Sequence, residues 1–177
     1  MDDKIANVRI IVGLGNPDRE YADTYHNAGY RFVDFLAGEG AAWKRTDLFR
    51  YSKGRDLLFA KSDTSMNESG RAVKKMLAFF KLKPEDIAVA HDDADLAIGE
   101  YRIQSGRGSA GHRGVASLMV NLKTKDFMRI RIGIREPGER ARKKAGDFVL
   151  KKIGAAEAAA FTEVFRAIAS EIERKGN

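Results

Sequence analysis

Three histidines are the chain's whole complement, and each lies in a short polar run: Tyr25-His26-Asn27, Ala90-His91-Asp92-Asp93 and Gly111-His112-Arg113-Gly114. Imidazole is the side chain whose unperturbed pKa lies nearest neutrality, so these are the groups best able to pass protons there. A fourth run, Gly13-Leu14-Gly15-Asn16-Pro17, closes an apolar stretch that reads as a strand. Four polar runs near expected strand ends point to one composite site rather than four surface loops.

Each run carries a chemical reading and a plainer one. Asn16 at a strand end both donates and accepts hydrogen bonds, and ligands of open α/β sheets sit beyond such ends; Asn is also a common turn former. His26-Asn27 opens the first helix, with Asn27 as its N-cap. The helix dipole there disfavours imidazolium and keeps the ring available as a base; a structural capping loop is the alternative. His91 is followed by Asp92, Asp93 and Asp95. One such carboxylate can hold an imidazole from another loop in its working tautomer; a solvated acidic turn or a weak cation site is the alternative.

Other chemistries lose their residues on inspection. The dinucleotide fingerprint fails because Gly13-x-Gly15 is followed by Pro17 and Asp18 where a third glycine is needed. No Gly-x-Ser-x-Gly occurs, since Arg107 stands where Ser109 would need glycine, and no Ser-x-x-Lys occurs. The absence of cysteine removes thiolate nucleophiles and Cys-ligated zinc, and positions 26, 91 and 112 lack close metal-ligand spacing. His/Asp chemistry on water remains, with Asn side chains as donors to a developing oxyanion.

Charge points to the partner. Between Arg102 and Lys144 twelve Lys or Arg stand against three acids (Asp126, Glu136, Glu139), a net of +9 within a chain of net +7. A localised basic block suits a polyanion, because Lys and Arg that neutralise phosphates release counterions; a solvated basic face is the alternative. Beside a glycine loop and His/Asp chemistry, the substrate this suggests is a hydrolysable group carried on a nucleic acid. The amino terminus lacks a signal-peptide core and no apolar run approaches about 18 residues, so a cytoplasmic protein is expected and the sequon Asn67-Glu68-Ser69 is discounted.

Periodicity supplies the scaffold. Val8 to Leu14 reads as a strand buried on both faces, and Ala28 to Gly38 as a helix carrying Phe32, Val33, Phe35 and Leu36, with Gly38 and Gly40 as C-cap candidates. Arg55 to Lys61 reads as a strand pairing with Phe49-Arg50-Tyr51. Asn67 to Lys81 has Val73, Met76, Leu77 and Phe80 on one helical face, and Pro84 bars its continuation. Ile87 to Ala90 is a second buried strand that ends at His91. Gly99 to Gln104 is a half-exposed strand, Val115 to Leu122 a helix, and Phe127 to Ile134 a strand. Arg135 to Lys144 reads as a mobile loop, and Ala155 to Arg174 as a last helix with Phe161, Val164, Phe165, Ile168 and Ile172 on one face. The alternation predicts one α/β domain spanning residues 1–177, with a central mixed, partly parallel twisted sheet flanked by helices.

Together the motifs resemble the bacterial peptidyl-tRNA hydrolase family. The resemblance runs from about Val8 to the last helix through Ile11-Val12-Gly13-Leu14-Gly15-Asn16-Pro17 with Tyr21 and His26-Asn27-Ala28-Gly29, then Met66-Asn67-x-Ser69-Gly70. His91-Asp92-x-x-Asp95-Leu96 with Gly99 follows, and then Gly111-His112-x-Gly114 and Arg129-Ile130-Arg131-Ile132-Gly133-Ile134. It implies hydrolysis of the ester joining a peptide to the 3′-terminal ribose of tRNA, by a monomer that uses no metal or other cofactor.

By position it makes His26 the general base, Asp92 the carboxylate that orients it, and Asn16 and Asn67 the holders of substrate carbonyl and peptide backbone. Met66 and Tyr21 line the cleft, and His112 and Arg131 lie on the tRNA side. The chain departs from the family pattern at Arg113, where Asn is usual, and at Gln104, where a basic residue is usual. Arg102, Arg107 or Arg113 would supply the missing charge. Two readings of other classes stand beside this one: a non-enzymatic RNA-binding relative of the same fold, and a nucleotide-sugar or dinucleotide enzyme. The first is disfavoured by the joint presence of His26, Asp92, Asn16 and Asn67, the second by the broken glycine fingerprint.

Overall fold

The structure is a computed structural model that describes residues 3–136 and 148–176. Seven strands form one mixed sheet: β1 (Ile10–Gly13), β2 (Lys44–Arg45), β3 (Phe49–Lys53), β4 (Leu58–Ser62), β5 (Ile87–Ala97), β6 (Tyr101–Ser105) and β7 (Met128–Arg135). Their order across the sheet is β2-β3-β4-β1-β5-β7-β6. β1 runs parallel to β4 and β5, and β5 parallel to β7, whereas β2–β3, β3–β4 and β6–β7 are antiparallel. The expected pairing of the second hairpin appears as Tyr51 opposite Ala60.

Helices cover both faces, as buried parallel strands require. α1 (Ala28–Ala37) and α4 (Ala155–Gly176) cover one face. There Phe32, Val33, Phe161, Phe165 and Ile168 pack with Ile11, Ala88 and Ile130. α2 (Ser69–Phe80) and α3 (Arg113–Leu122) cover the other, packing Val73, Met76, Val115 and Leu118 against Ile10, Val12 and Val89. Each such side chain, fully withdrawn from water, contributes roughly 1.5–3 kcal/mol. α1 lies so close to the sheet that a Cβ on Gly29 would sit 2.2 Å from the Ala90 carbonyl oxygen. That approach carries the start of α1, and His26 just before it, onto the end of β1 and the middle of β5. Gly38 closes α1 with φ of 79°, in the left-handed region that glycine adopts readily.

Among the boundaries that differ from the sequence expectation, two bear on the site. The helix expected from Asn67 begins at Ser69, and Asn67 lies with Met66 in a 3-10 turn, Met66–Glu68, ahead of α2. β5 does not end at His91 but continues to Ala97, pairing His91 with Arg131, Asp92 with Ile132 and Asp93 with Gly133. Apolarity stops at Ala90, but the neighbouring β7 still offers a hydrogen-bonding ladder. The buried carboxylates are matched by cations and imidazoles that arrive from elsewhere in the chain. The expected loop Arg135 to Lys144 falls mostly outside the described residues. Among the described residues no helix is long and apolar enough to cross a membrane.

Candidate active site

The polar runs converge beyond the carboxyl end of β1 and beside the continuing half of β5. A cleft of about 660 Å³ opens there, lined among others by Asn16, His26, Asn67, Asp92, His112 and Arg113. Tyr21 and Met66 also line it.

His26 sits in a 3-10 turn, Tyr25–Asn27, that leads directly into α1. Its backbone N–H donates to the Val149 carbonyl at 2.8 Å. Its Nδ1 lies 2.9 Å from Asp92 Oδ1. Its Nε2 has no protein partner among the described residues, so the opposite side of the ring is free for water or substrate. Burial pushes the His26 pKa down, the charge and hydrogen bond of Asp92 push it up, and nearby Arg113 pushes it down. The sum is a pKa above the ordinary imidazole value. Asp92 thus outweighs the depression expected from a helix start, and the ring remains a base that loses its lone pair on mild acidification.

Asp92 is 3 % exposed. Burial alone would raise its pKa, but His112 and His26, through charge and hydrogen bonds, hold it far below the usual carboxylate range. His112, expected on the tRNA side, stands instead beside His26, with Nε2 2.9 Å from the same Asp92 oxygen. His91 is fully interior: its Nδ1 lies 2.7 Å from the Asp92 carbonyl, and its ring packs edge-on to His112 with centroids 4.7 Å apart. Burial, then the neighbouring His112, lowers its pKa to about 3, which keeps the ring neutral.

Asn16 is held from two sides. Asn27 Oδ1 accepts the Asn16 backbone N–H at 2.8 Å and Asn27 Nδ2 donates to the Asn16 carbonyl at 3.0 Å. Asn27 occupies the N-cap position of α1, but its side chain makes no capping bond; it serves as this tether instead. The Asn16 side-chain oxygen accepts the Met66 backbone N–H at 2.9 Å. That bond fixes the amide's orientation and leaves its NH₂ group as the free donor. Asn67, one residue on, is exposed at the cleft.

The three expected phosphate ligands outside the cleft divide by burial. Arg131 is 8 % exposed, its Nε 2.5 Å from Asp93 Oδ2, so it is an interior ion-pair partner. Arg102, opposite it on β6, and Arg107, on the glycine loop, are exposed. Arg113 has no hydrogen-bond or ion-pair partner among the described residues and is a free cation at the cleft. Three features of the site lie beyond what the sequence alone indicates: the Asn27 tether, the second imidazole on Asp92, and the apolar rim formed by Val149 and Leu150. Only the first had a local signal, an Asn directly after the histidine.

His26, Asp92 and His112 place one ligand-type atom each within 4.8 Å of one another, the spacing of a cation site. Both imidazole nitrogens in this set face the same carboxylate oxygen at hydrogen-bond distance. The three are therefore satisfied as two donors and one acceptor. What the arrangement can do chemically is deprotonate a water at His26 Nε2, stabilise the resulting imidazolium through Asp92, and present the Asn16 amide to an oxyanion.

Comparison with known proteins places the chain in one family. The family model described as peptidyl-tRNA hydrolase matches residues 10–175. A peptidyl-tRNA hydrolase of Marinobacter nauticus is 40 % identical over 166 residues, covering 90 % of this chain and 84 % of the relative. One from Lactobacillus johnsonii is 42 % identical over 136 residues, covering 73 % and 74 %. The crystal structure of peptidyl-tRNA hydrolase from Acinetobacter baumannii superposes with a TM-score of 0.84 at 33 % identity, covering 97 % of this chain and 89 % of that one.

Proposed function

Since the chain belongs to the peptidyl-tRNA hydrolase family, we propose that it hydrolyses the ester between a peptide, or N-blocked amino acid, and the 3′-terminal ribose of tRNA. The observation that carries the reading is the 2.9 Å contact of His26 Nδ1 with the buried Asp92. It turns Nε2 toward a cleft large enough for an extended peptide end.

The reaction follows from the side chains in place. A water donates its proton to His26 Nε2 as its oxygen attacks the ester carbonyl. Asp92 stabilises the imidazolium that forms, and the Asn16 NH₂ group donates to the oxyanion. Collapse breaks the carbonyl–ribose bond, and His26 returns its proton to the leaving 3′ oxygen. The products are a peptide carboxylic acid and tRNA with a free 3′ hydroxyl. A positioned base contributes roughly 10²–10⁴-fold and an oxyanion donor about 10²–10³-fold. Asn67 and Met66 suit the peptide side of the cleft, and Tyr21 its mouth. The unpaired Arg113, with exposed Arg102 and Arg107, suits the phosphates of the acceptor end.

The proposal further takes the protein as a cytoplasmic monomer, a single domain over residues 1–177, working without a metal or other cofactor. The test is release of peptide from an N-blocked aminoacyl-tRNA by the protein and by its His26→Ala variant. Cleavage by the former alone supports the reading. If both are inert while tRNA still binds, the RNA-binding relative is the better description.

A further inference from the structure

His112 is the N-cap of α3, and it caps with its ring: Nδ1 accepts the Val115 backbone N–H at 3.2 Å. A backbone N–H only donates, so Nδ1 holds a lone pair. In a neutral imidazole the proton is then on Nε2. Nε2 is the atom 2.9 Å from Asp92 Oδ1, the same oxygen that lies 2.9 Å from His26 Nδ1. The α3 cap thereby selects the tautomer in which His112 donates to the carboxylate, and one oxygen carries two imidazole donors. The His26 and His112 rings lie 5.1 Å apart in consequence.

We propose that His112 is a positioning residue for hydrolysis: it ties the start of α3 to Asp92 and divides that carboxylate's charge between two imidazoles. The inference rests on His26 being the base. Two donors on one oxygen each receive a weaker acceptor than either would alone, so the His112 bond tempers the hold of Asp92 on His26. The other groups facing the pair are the neutral, buried His91 on β5, Arg113 on α3, and Asp93, which is engaged by Arg131 on β7. None of these occupies the contested oxygen.

Two substitutions separate the two ends of the ring. Asn at this position offers an oxygen to the Val115 N–H but reaches no donor to Asp92. Gln extends an amide toward Asp92 but leaves the cap empty. His112→Asn is expected to keep the α3 cap and fold, while the acid limb of kcat/KM, measured by peptide release, moves up by about half a pH unit. His112→Gln is expected to keep the limb in place and to melt about 2–4 °C lower. Long-range ¹H–¹⁵N spectra of the unaltered protein are expected to show His112 Nδ1 as the unprotonated nitrogen. A protonated Nδ1, or an unmoved acid limb in folded His112→Asn, overturns the proposal. Failure of the base assignment shows separately, as normal turnover by His26→Ala, because the His112 spectrum does not depend on activity.

Discussion

Asn27 grips Asn16 by both sides of one backbone unit, accepting its N–H at 2.8 Å and donating to its carbonyl at 3.0 Å. A buried side chain thereby holds the proposed oxyanion donor by its main chain, while the Met66 N–H holds the same residue by its side chain. Asn16 comes preorganised, which is where electrostatic catalysis gains most.

Loss of the grip should therefore appear in catalysis as well as in stability. Asn27→Ala leaves two Asn16 backbone groups without partners and is expected to cost about 1–3 kcal/mol of folding free energy. Turnover is expected to fall more than KM rises. A denaturant titration beside steady-state peptide release would check both, and unchanged turnover in a folded variant would show that Asn16 keeps its place without the tether.

Direct removal of the donor should cost more. Asn16→Ala is expected to lower kcat by about 10²-fold, the usual effect of an oxyanion donor. Asn16→Asp would keep the bond from Met66 but put an acceptor where a donor is needed. If Asp restored most of the rate, the amide's role would be positional instead.

For Asp92→Asn the expected loss in kcat reaches about 10⁴-fold, through the wrong His26 tautomer. The sign of its pH effect follows from His26, whose pKa Asp92 raises. With His26 as the proposed base, activity is expected to require the neutral ring and to fall as pH drops through that raised value. Without the carboxylate charge the residual activity should have its acid limb at lower pH. Near-wild-type turnover would reassign the orienting role. Asp95, the next candidate for that role, has no hydrogen bond or ion pair with His26 among the described residues, and its backbone N–H is engaged by Asp93 at 2.9 Å.

The interior pair Arg131–Asp93 should behave as structure. Arg131→Met strands a buried carboxylate and is expected to destabilise by about 3–5 kcal/mol, whereas removing both charges together should cost much less. Chemical unfolding of the single and double variants would decide this. A single variant of full stability that binds tRNA poorly would return Arg131 to the phosphate side.

RNA affinity itself is expected to fall steeply between about 50 and 200 mM salt, through counterion release at Arg102, Arg107 and Arg113. A flat response in a filter-binding titration would remove the basic block from the interface.

Much of this protein is decided locally. The unbroken β-branched run Ile10-Ile11-Val12 reads as a strand buried on both faces and is one, and the spacing of Val73, Met76 and Leu77 marks the buried side of α2. The types and order of His26, Asp92, Asn16 and Asn67 point to the proposed chemistry, because few residues do proton transfer and oxyanion stabilisation at neutral pH. Tertiary structure decided what depends on distant partners. β5 passes through His91-Asp92-Asp93 because β7 pairs alongside it and buried charges find Arg131, His26 and His112 there. The partners of Arg131 and His112 are set in the same way. Whether a charged or polar side chain faces solvent, a ligand or another residue is set by what the fold brings against it, and sequence spacing holds no record of that.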